Sequence, residues 1–412
     1  MNIWLIVSGE PLEMFGNRPH RVGMLSKVLS RQGHLVTWWS TTYDHQSKKY
    51  LYKKTALDVK KKCGVKMCFL HSKTKYIKNI SYARIKNHLE VANDFNCTSN
   101  KCKVPDIIFC AYPTIDLAYE ATKFAGRNNI PIVIDVRDLW PNIFLTPFPG
   151  FLQPLVNMLL TRYNNKAKYV FENCTSVTAV SEKYLNYGLN LGERPKSKND
   201  RIFPLAFDRN ILKNNLSLDL EVKYKKLGLD IEKIIIWFVG TFGKTYDLET
   251  IIKSAKKMSP QDGVQFVFTG DGEMSDYWTS LANKSPDILF TGWVDSNDLA
   301  YLSSVSNIGL MAYKKGAPQG LPNKIFEYLS AGSPILSSLK GETEFLLKDK
   351  GVGLSYEAGN VDDFVQKLKK YINNSDLMNS TSSRCVSLYE DNYSAQRVYG
   401  DLASYLEEMA EH

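Results

Sequence analysis

Short runs of β-branched and aromatic residues recur along the whole chain, and amphipathic helical patterns separate them. In the first half the runs are NIWLIVS, LVTWWS, DIIFCAY, IVIDV and SVTAVS. In the second half they are IIIWFVG, VQFVFTG, DILFTG, IGLMAY and PILSS. Helical patterns such as residues 23–32, which end before Gly33, lie between them. Because strands that alternate with helices pair in parallel, the pattern predicts an α/β fold with helices on both faces of the sheets.

The length of the chain predicts two domains of this kind. At ~100 to 200 residues per domain, two doubly wound Rossmann-like domains fit 412 residues better than one sheet of ten strands. We place the boundaries at 1–205 and 206–390, with a helix in 391–412 that packs back on the first domain. Ligands of open α/β sheets bind beyond the carboxyl ends of the strands. We therefore expect the two domains to face each other across a cleft.

The composition is that of a packed globular protein, with 44% hydrophobic and 12% aromatic residues. The sequence has no apolar run of 18 residues, so we expect no membrane-spanning helix. The first residues, MNIWLIVS, lack the basic region of a signal peptide and predict a buried strand. Seven cysteines without a Cys-x-x-Cys pair predict reduced thiols in a cytosolic protein. Cys97 and Cys102 with His88 could be metal ligands, although their spacing favours packing or surface roles.

Positive charge is concentrated in the first half. Residues 1–205 carry 30 lysines and arginines against 15 acids, whereas residues 206–412 carry 22 against 28. The stretch from Lys48 to Lys86 holds 13 basic residues and one acid, Asp58. Such a stretch attracts an anionic membrane by roughly 1 kcal/mol per basic residue near its surface. Nucleic acid and a merely solvated surface are the alternatives.

A second feature of the first half is an apolar series after the motif RDLWP. Its members follow a 3.6-residue period: Phe151, Leu152, Leu155, Val156, Leu159, Leu160 and Tyr163. The series predicts a helix whose apolar face contacts the core. The alternative is a face that contacts lipid, since the same domain carries the basic stretch.

The second half contains a glycine turn suited to phosphate. After the strand 234–239 comes GTFGKTYDLETIIKSAKKM, in which Gly240 and Gly243 allow a tight turn. Asp247 is a predicted N-cap for a helix over 248–258. The exposed amides of such a turn favour a phosphate, and Lys244 adds a positive charge. A turn that only connects strand to helix is the alternative.

A helix start at GLPNKIFEYLSAGSPILSS combines a lysine and a glutamate. Pro322 suits the first helical position, and Gly332 ends the helix. The carboxylate of Glu327 can accept hydrogen bonds from the two hydroxyls of a ribose. Lys324 lies three residues earlier and so shares its helix face. The alternative for Glu327 is a surface residue stabilised by the helix dipole.

Two loops of the first half are candidates for contacts with substrate. SGEPLEMFGNRPHR contains Gly9, which allows close approach to a pyrophosphate, and the basic residues Arg18, His20 and Arg21. His20 is more often an exposed loop residue than a catalyst. RDLWP places Arg137 and Asp138 just after the strand 132–136, at a predicted ligand edge. Alternative roles for Asp138 are an N-cap or a partner of Arg137.

Together these motifs resemble the retaining, nucleotide-sugar-dependent glycosyltransferases of family 4. The ordered set comprises VSGEP, RVGMLSKVLSRQGHLVTWWSTTYDH, YIKNISYARIKNH, IDVRDLWP, VTAVSEKY, VGTFGKTYDLETIIKSA, FVFTGDG, ILFTGWVDSNDLAYLSSVSNIGLMAY and LPNKIFEYLSAGSPIL. It is similar to the subgroup that builds bacterial surface polysaccharides such as O-antigen or capsule. The resemblance implies the GT-B fold, in which two Rossmann-like domains face each other across a cleft.

The resemblance also implies which residues contact the donor. Glu327 matches the glutamate that holds the ribose, Gly243 and Lys244 match the phosphate turn, and Gln319 stands where many members have a first glutamate. A glutamine hydrogen-bonds hydroxyls without carrying charge. The expected donor-binding set is Gly9, Arg18, Gly243, Lys244, Gly270, Gly292, Trp293, Val294, Gln319, Asn323, Lys324 and Glu327.

The expected reaction is attack of an acceptor hydroxyl on the anomeric carbon as the nucleoside diphosphate leaves. Lys244 and Glu327 are the catalytic candidates on the donor side, and Asp138 is the candidate for orienting or deprotonating the acceptor. The acceptor-binding candidates are His20, Arg21, Arg137 and Asp138. Family members often carry a histidine where this chain has CAYPT. The sequence has no metal-ligand motif, so we expect no metal and no cofactor.

The sequence-based hypothesis is therefore a hexosyl-type glycosyltransferase in surface polysaccharide synthesis. Its expected partners are a UDP- or GDP-linked sugar, a polyprenyl-pyrophosphate-linked saccharide acceptor and an anionic membrane, and not nucleic acid. Its expected location is the inner face of the cytoplasmic membrane, as a peripheral protein. A nucleotide-sugar 2-epimerase of the same fold and a non-catalytic partner subunit are the alternatives.

Overall fold

The chain folds into two compact α/β units. The computed structural model describes residues 1–60, 64–78, 81–145, 148–210 and 218–411. The first unit comprises Met1–Pro204 and Val398–His412, and the second comprises Leu205–Arg397. The sequence-based boundary at 205/206 lies one residue from this division. Residues 391–397 of the predicted C-terminal segment belong to the second unit.

The described part of the first unit carries an eight-stranded sheet in the order β3-β4-β2-β1-β5-β6-β7-β8. Its strands are β1 (Asn2–Ile6), β2 (Leu35–Thr41), β3 (Ala56–Lys60), β4 (Lys66–Leu70), β5 (Ile107–Tyr112), β6 (Ile132–Val136), β7 (Ser176–Ala179) and β8 (Arg201–Ile202). Only the β3–β4 pairing is antiparallel among those described. The helices are α1 (Arg21–Arg31), α2 (Tyr82–Ser99), α3 (Ile115–Asn128), α4 (Gln153–Leu159), α5 (Thr161–Asn173) and α6 (Glu182–Leu191).

The second unit carries a six-stranded parallel sheet over its described residues, in the order β11-β10-β9-β12-β13-β14. Its strands are β9 (Ile234–Val239), β10 (Val264–Thr269), β11 (Ile288–Gly292), β12 (Ile308–Met311), β13 (Ile335–Ser337) and β14 (Gly353–Ser355). Its helices are α7 (Leu218–Lys226), α8 (Leu248–Lys257), α9 (Ser275–Ala282), α10 (Ser296–Val305), α11 (Asn323–Ala331), α12 (Glu342–Lys350), α13 (Val361–Ile372) and α14 (Ser375–Asn392). The last helix, α15 (Ala395–Ala410), belongs to the first unit from Val398 onward.

The core of the first unit is rich in tryptophan. The rings of Trp4 and Trp39 lie 4.8 Å apart between their centroids, and Trp4 stacks on Phe124 at 5.1 Å. Helix α15 joins this unit through polar contacts: the Tyr405 and Ser176 hydroxyls are 2.5 Å apart, and His34 Nε2 is 2.7 Å from the Glu407 carboxylate. These contacts account for the return of the chain to the first unit.

The predicted α/β class with doubly wound sheets is confirmed, but four strands were missed. They are β3, β4, β8 and β14. β3 and β4 lie inside the basic stretch, where lysines interrupt the apolar pattern; β4 nevertheless buries Met67 and Phe69. β8 and β14 have two and three residues, too short to produce a periodic pattern.

The prediction of a core-facing helix after RDLWP is wrong. The segment breaks into a short 3₁₀ turn at Gly150–Leu152 and the helices α4 and α5. Its apolar side chains are largely exposed: Phe151 by 80%, Leu159 by 74%, Met158 by 64% and Leu155 by 55%. We call these four residues, with the exposed Phe148, the apolar patch. None of the described helices is both long and apolar enough to cross a bilayer.

Each sheet reverses its strand order at one point. In the first sheet β1 lies between β2 and β5, and in the second β9 lies between β10 and β12. The loops that leave these central strands and their neighbours diverge to opposite faces, which opens a crevice at the carboxyl edge. The two crevices are at residues 7–9 and 113–114 in the first unit, and at 240–244 and 312–314 in the second.

Candidate active site at the two strand-order reversals

Three glycines bring the loops of the second unit into direct contact. A Cβ on Gly270, whose φ is +138°, would lie 1.9 Å from the carbonyl oxygen of Gly240. A Cβ on Gly272 would lie 2.6 Å from the oxygen of Phe242. The amide of Phe242 donates to Asp271 O at 2.8 Å, which joins the β9 loop to the β10 loop. The backbone of the two loops is therefore closely packed here, most tightly at Gly270. We call the contacting residues Gly240, Gly270 and Gly272 the glycine edge.

Lys324 places an ammonium group beneath this edge. Its side chain is 7% exposed, and Nζ lies 3.9 Å from the centroid of the Phe238 ring and 4.2 Å from that of Tyr246. Within the described residues Nζ has no hydrogen-bond partner. Burial lowers the pKa of Lys324 to about 7, and the Glu327 carboxylate partly opposes this shift. A buried cation held only by aromatic rings and one nearby acid favours an anion at this edge.

Glu327 is buried on the same helix, so the surface-residue alternative is wrong. Its residue exposure is 8%. The adjacent Tyr328 fixes α11 to the sheet, because its hydroxyl donates to a strand carbonyl and lies 3.1 Å from Trp237 O and 3.0 Å from Leu310 O. Pro322 is the N-cap and not the predicted first helical residue, and Gly332 ends the helix at φ 71°. Glu327 is thus held one turn into a helix that begins beside the reversal of the strand order.

Lys244 lies on the exposed rim of the edge. Its Nζ is 3.0 Å from the Glu273 carboxylate, with the two side chains 75% and 53% exposed. A Cβ on Gly243 would meet no atom within 4 Å. Asp247 is the N-cap of α8, as predicted, and accepts a hydrogen bond from Thr250 N. The turn therefore leaves open space beside an exposed lysine that is paired with Glu273.

The remaining donor-side candidates differ in their exposure to solvent. Trp293 is 76% exposed, directly after Gly292 at φ 69°. Val294 is half-buried and Asn323 is exposed. Gln319 is half-buried, and its Oε1 is a buried atom without a hydrogen-bond partner in the described part of the chain. An unsatisfied amide oxygen of this kind is suited to accept a hydrogen bond from a ligand hydroxyl.

In the first unit, two of the predicted acceptor residues belong to a buried ionic network. Arg21 donates to both carboxylate oxygens of Asp135 at 2.9 Å and to Pro204 O at 2.9 Å. Arg137 donates to Asp135 at 2.7 Å and to Glu10 at 2.8 Å. Arg21 is 3% exposed, and these bonds hold its guanidinium group within the network. The two guanidinium groups lower the pKa of Asp135 to about 2 despite its burial.

The other first-unit candidates lie around this network. Glu10 Oε1 accepts from the amides of Val22 and Gly23, which ties the Gly9 loop to the start of α1. Arg18 and His20 are half-buried in the loop before that helix, and His20 is its N-cap. Asp138 accepts from Leu139 N at 2.8 Å, and burial raises its pKa. Gly9 has a φ of +78°, and a Cβ added there would lie 3.8 Å from the Cβ of His45.

Two cavities open at the strand-order reversal of the first unit, and most of their polar residues were not predicted. One, of about 210 Å³, is lined by Gly9, Glu10, Thr41, His45 and others. The second, of about 120 Å³, shares Gly9, Thr41 and His45 with the first. It adds Ser8, Tyr76, Arg84, Asn87, His88 and Thr114. These residues lie at or after the ends of β1, β2, β4 and β5 or within α2, so missing β4 concealed their convergence.

No metal centre is present in the described ranges. No group of three His, Cys, Asp or Glu side chains there is arranged to hold an ion. Cys97 is exposed and Cys102 half-buried, both as free thiols. The described cysteines are all free, and Cys63 lies outside the described residues.

A family model matches much of the second unit. Residues 233–374 match the model described as "Glycosyl transferases group 1". The matched residues include the glycine edge, Lys324 and Glu327.

Curated relatives are similar over part of the chain. An uncharacterized glycosyltransferase of Methanocaldococcus jannaschii is 23% identical over 194 residues, which is 45% of this chain and 47% of that protein. The lipopolysaccharide core biosynthesis glycosyltransferase LpsE of Rhizobium meliloti is 23% identical over 162 residues, 39% of this chain and 45% of that protein. The chain thus spans about half the length of these relatives.

Solved structures are similar over the whole chain. Sucrose-phosphate synthase of Thermosynechococcus elongatus matches with a TM-score of 0.72 at 13% identity, covering 99% of this chain and 98% of that one. HepE of Anabaena, solved in complex with UDP, matches with a TM-score of 0.68 at 14% identity and 99% coverage of both chains. The predicted fold class, GT-B, is confirmed.

Proposed function

We propose that this protein is a glycosyltransferase that moves a hexose-type sugar from a nucleotide-sugar donor to a saccharide acceptor, with retention, during synthesis of a surface polysaccharide. The observation that carries the proposal is the glycine edge of the group 1 domain, with the buried Lys324 beneath it and Glu327 on the same helix. The relatives and the family model are glycosyltransferases, so neither the epimerase nor the non-catalytic subunit is favoured.

The donor is held by the second unit. Glu327 accepts the ribose hydroxyls, for which a buried carboxylate is suited because charged hydrogen bonds are stronger away from water. The pyrophosphate lies against the Gly243 turn, where Lys324 and Lys244 supply positive charge. Gly292, Trp293 and Val294 contact the base, and Gln319, Asn323 and Gly270 border the sugar. HepE was solved with UDP, which supports a UDP-linked donor; a GDP-linked donor is the variant to test.

The chemical step places developing negative charge on the leaving phosphate. Lys244 is exposed and paired with Glu273, so it can move to the phosphate when the donor binds. Preorganised positive charge at the leaving group is the largest catalytic term in such reactions. Asp138, whose pKa is raised by burial, orients the acceptor hydroxyl on the first unit. No metal or cofactor takes part in the proposed step.

The acceptor is a polyprenyl-pyrophosphate-linked saccharide, bound by the first unit at the inner face of the cytoplasmic membrane. The apolar patch and the basic stretch support this part of the proposal. The basic stretch exposes Lys53, Lys54, Lys73 and Lys78, with Ile77 81% and Tyr82 80% exposed beside them. Apolar side chains among surface lysines are typical of proteins that bind an anionic interface.

Nucleoside diphosphate release tests the proposed activity. The purified protein is incubated with UDP- and GDP-sugars, alone and with a lipid-linked acceptor. Release that requires the acceptor, together with extension of the acceptor, supports transfer. Epimerisation of the nucleotide sugar in the absence of an acceptor would indicate the epimerase, and binding without any turnover would indicate a non-catalytic subunit.

Vesicle binding tests the membrane part separately. Lys61 and Lys62, which the sequence also implicates, lie outside the described residues. We therefore expect Lys53→Gln, Lys54→Gln, Lys73→Gln and Lys78→Gln together to weaken binding to vesicles containing phosphatidylglycerol. Phe151→Ser with Leu159→Ser should weaken it further and without salt dependence. A matched control substitutes four exposed lysines of the second unit, Lys253, Lys256, Lys340 and Lys348. Unchanged binding in both variants would overturn the membrane proposal.

A further inference from the structure

The smaller cavity of the first unit combines two neutral histidines with an arginine. His45 Nδ1 is 2.8 Å from the Tyr76 hydroxyl and 3.5 Å from Lys48 Nζ. An ammonium group can only donate, so Nδ1 accepts and the ring proton is on Nε2. His45 is thus fixed as a neutral donor on the wall shared by the two cavities.

Arg84 supplies the positive charge of this cavity. Its guanidinium carbon lies 4.8 Å from the centroid of the Trp140 ring and 5.7 Å from that of Tyr76. The Tyr76 hydroxyl also contacts His45, so one tyrosine joins the arginine to the histidine. Two nearby aromatic rings restrain the guanidinium group, whose planar set of donors suits the recognition of phosphate and carboxylate anions.

Positive groups outweigh negative ones at both imidazoles. Burial, Arg84 and Lys48 lower the pKa of His45 to about 4, and Asp44 opposes them. Burial, Arg84 and His45 lower the pKa of His88 to about 3. Asp138 faces Arg84 and supports its charge. Two acids therefore share this region with Arg84 and Lys48, but the field at the histidines remains positive.

We infer that this cavity binds an anionic group of the acceptor, a phosphate or a carboxylate, through Arg84, His45 and His88. The inference rests on the proposed function, since it names the chemistry of the acceptor. The position supports it: Ser8, Gly9, Pro113 and Thr114 line the cavity at the reversal of the strand order, the usual ligand edge of such a sheet. The anion would be the pyrophosphate of a lipid-linked acceptor or the carboxylate of an acidic sugar.

Histidine NMR on the full-length protein tests the inference without any turnover. The chain has 6 histidines, so ring signals labelled at Cε1 can be assigned with the variants His45→Gln and His88→Gln. Inorganic pyrophosphate and glucuronate are titrated separately. We expect saturable shifts of the His45 and His88 signals with at least one probe, and an upward movement of both histidine pKa values. The probe that binds more tightly identifies the source of the anion.

Two variants sharpen the test. Arg84→Gln should raise the dissociation constant of the bound probe by about tenfold or more, because one charge-assisted contact is lost. Arg31→Gln, an exposed arginine of the same unit, is the matched control and should leave it unchanged. Lys244→Ala removes a phosphate contact in the second unit and should also leave the two histidine signals as they are. Histidine signals that do not move with either probe in the wild-type protein would overturn the inference, even if sugar transfer is observed.

Discussion

The two crevices occupy equivalent places in their sheets but hold positive charge in opposite ways. In the second unit Lys324 is buried beneath closely packed glycines, with aromatic rings and a nearby glutamate around it. In the first unit Arg84 lines an open cavity with two histidines and a tyrosine. The first arrangement is preformed for one ligand geometry, whereas the second leaves room for different groups. Under the proposed function, we expect the preformed crevice of the second unit to bind the donor and the open cavity of the first unit to bind the acceptor.

The largest effect is expected from a substitution that separates the backbone loops at the crevice of the second unit. Gly270→Ala places a Cβ 1.9 Å from the Gly240 oxygen at a φ of +138°, so the two loops must separate. We expect loss of donor binding and a loss of stability of about 3 kcal/mol or more, measured by nucleotide titration and urea unfolding. Gly243→Ala, with open space at its Cβ, is the control and should retain the fold. Equal behaviour of the two variants would show that the close contact is unimportant.

The corresponding change in the first unit removes the centre of its ionic network. Asp135→Asn leaves Arg21 and Arg137 without their shared carboxylate and should cost about 3 kcal/mol at pH 5. The folded pKa of Asp135 is lowered to about 2 from its ordinary 3.8. Its contribution is therefore fully present above pH 4 and lost as the pH falls towards 2. Denaturation at several pH values should show the difference from wild type shrinking over this range, whereas exposed Asp401→Asn should have no effect.

Lys244→Ala tests the catalytic role of the rim of the second crevice. Because leaving-group charge peaks in the transition state, kcat should fall by about 10²-fold. The donor dissociation constant should change by much less. Steady-state kinetics with calorimetric donor binding separates the two quantities. Lys253→Ala removes a similarly exposed ion pair and is the control. Equal losses in binding and turnover would assign Lys244 to simple binding.

The smallest expected effect is a pH dependence of nucleotide affinity in the second unit. Lys324 has a pKa of about 7 in the free protein and must be charged to pair with pyrophosphate. Above pH 7 its protonation has to accompany binding, so UDP affinity should fall by up to about tenfold per pH unit. Calorimetry between pH 7 and 8 measures this, with proton uptake determined in buffers of different ionisation enthalpy. Lys324→Met should remove the dependence; the same slope in the variant would exclude Lys324 as its source.

Much of the fold was predictable because buried strands and their turns are local patterns. The strands from Ile132 and Ile234, the N-cap at Asp247 and the helix ending at Gly332 follow from neighbouring residues. The exposed apolar patch was not predictable, since a 3.6-residue period does not state which surface covers it. Only the structure shows that nothing in the described first unit buries Phe151.

The proximity of candidate site residues was predictable where they belong to one short motif. It was not predictable where they come from several distant segments. Lys324 and Glu327 lie on one helix turn, so their spacing alone brought them together. His45, Tyr76 and Arg84 come from separate segments, which converge only through the pairing of β2 with β4. The partner of Arg21 was not predictable, because the sequence does not distinguish a basic residue at a ligand edge from one that pairs with a buried acid 114 positions away.

The most direct test of the central claim is nucleotide titration of the wild-type protein and Glu327→Gln by calorimetry, with UDP, GDP and their sugar derivatives. Removing the charge of a buried acceptor of ribose hydrogen bonds should weaken binding by about tenfold to a hundredfold, with an unchanged melting temperature. Exposed Glu344→Gln is the matched control. The predicted result is that the wild-type protein and Glu344→Gln bind one nucleotide sugar equally well, whereas Glu327→Gln binds it more weakly. Equal affinity in Glu327→Gln and wild type, or no nucleotide binding by either, would contradict the account.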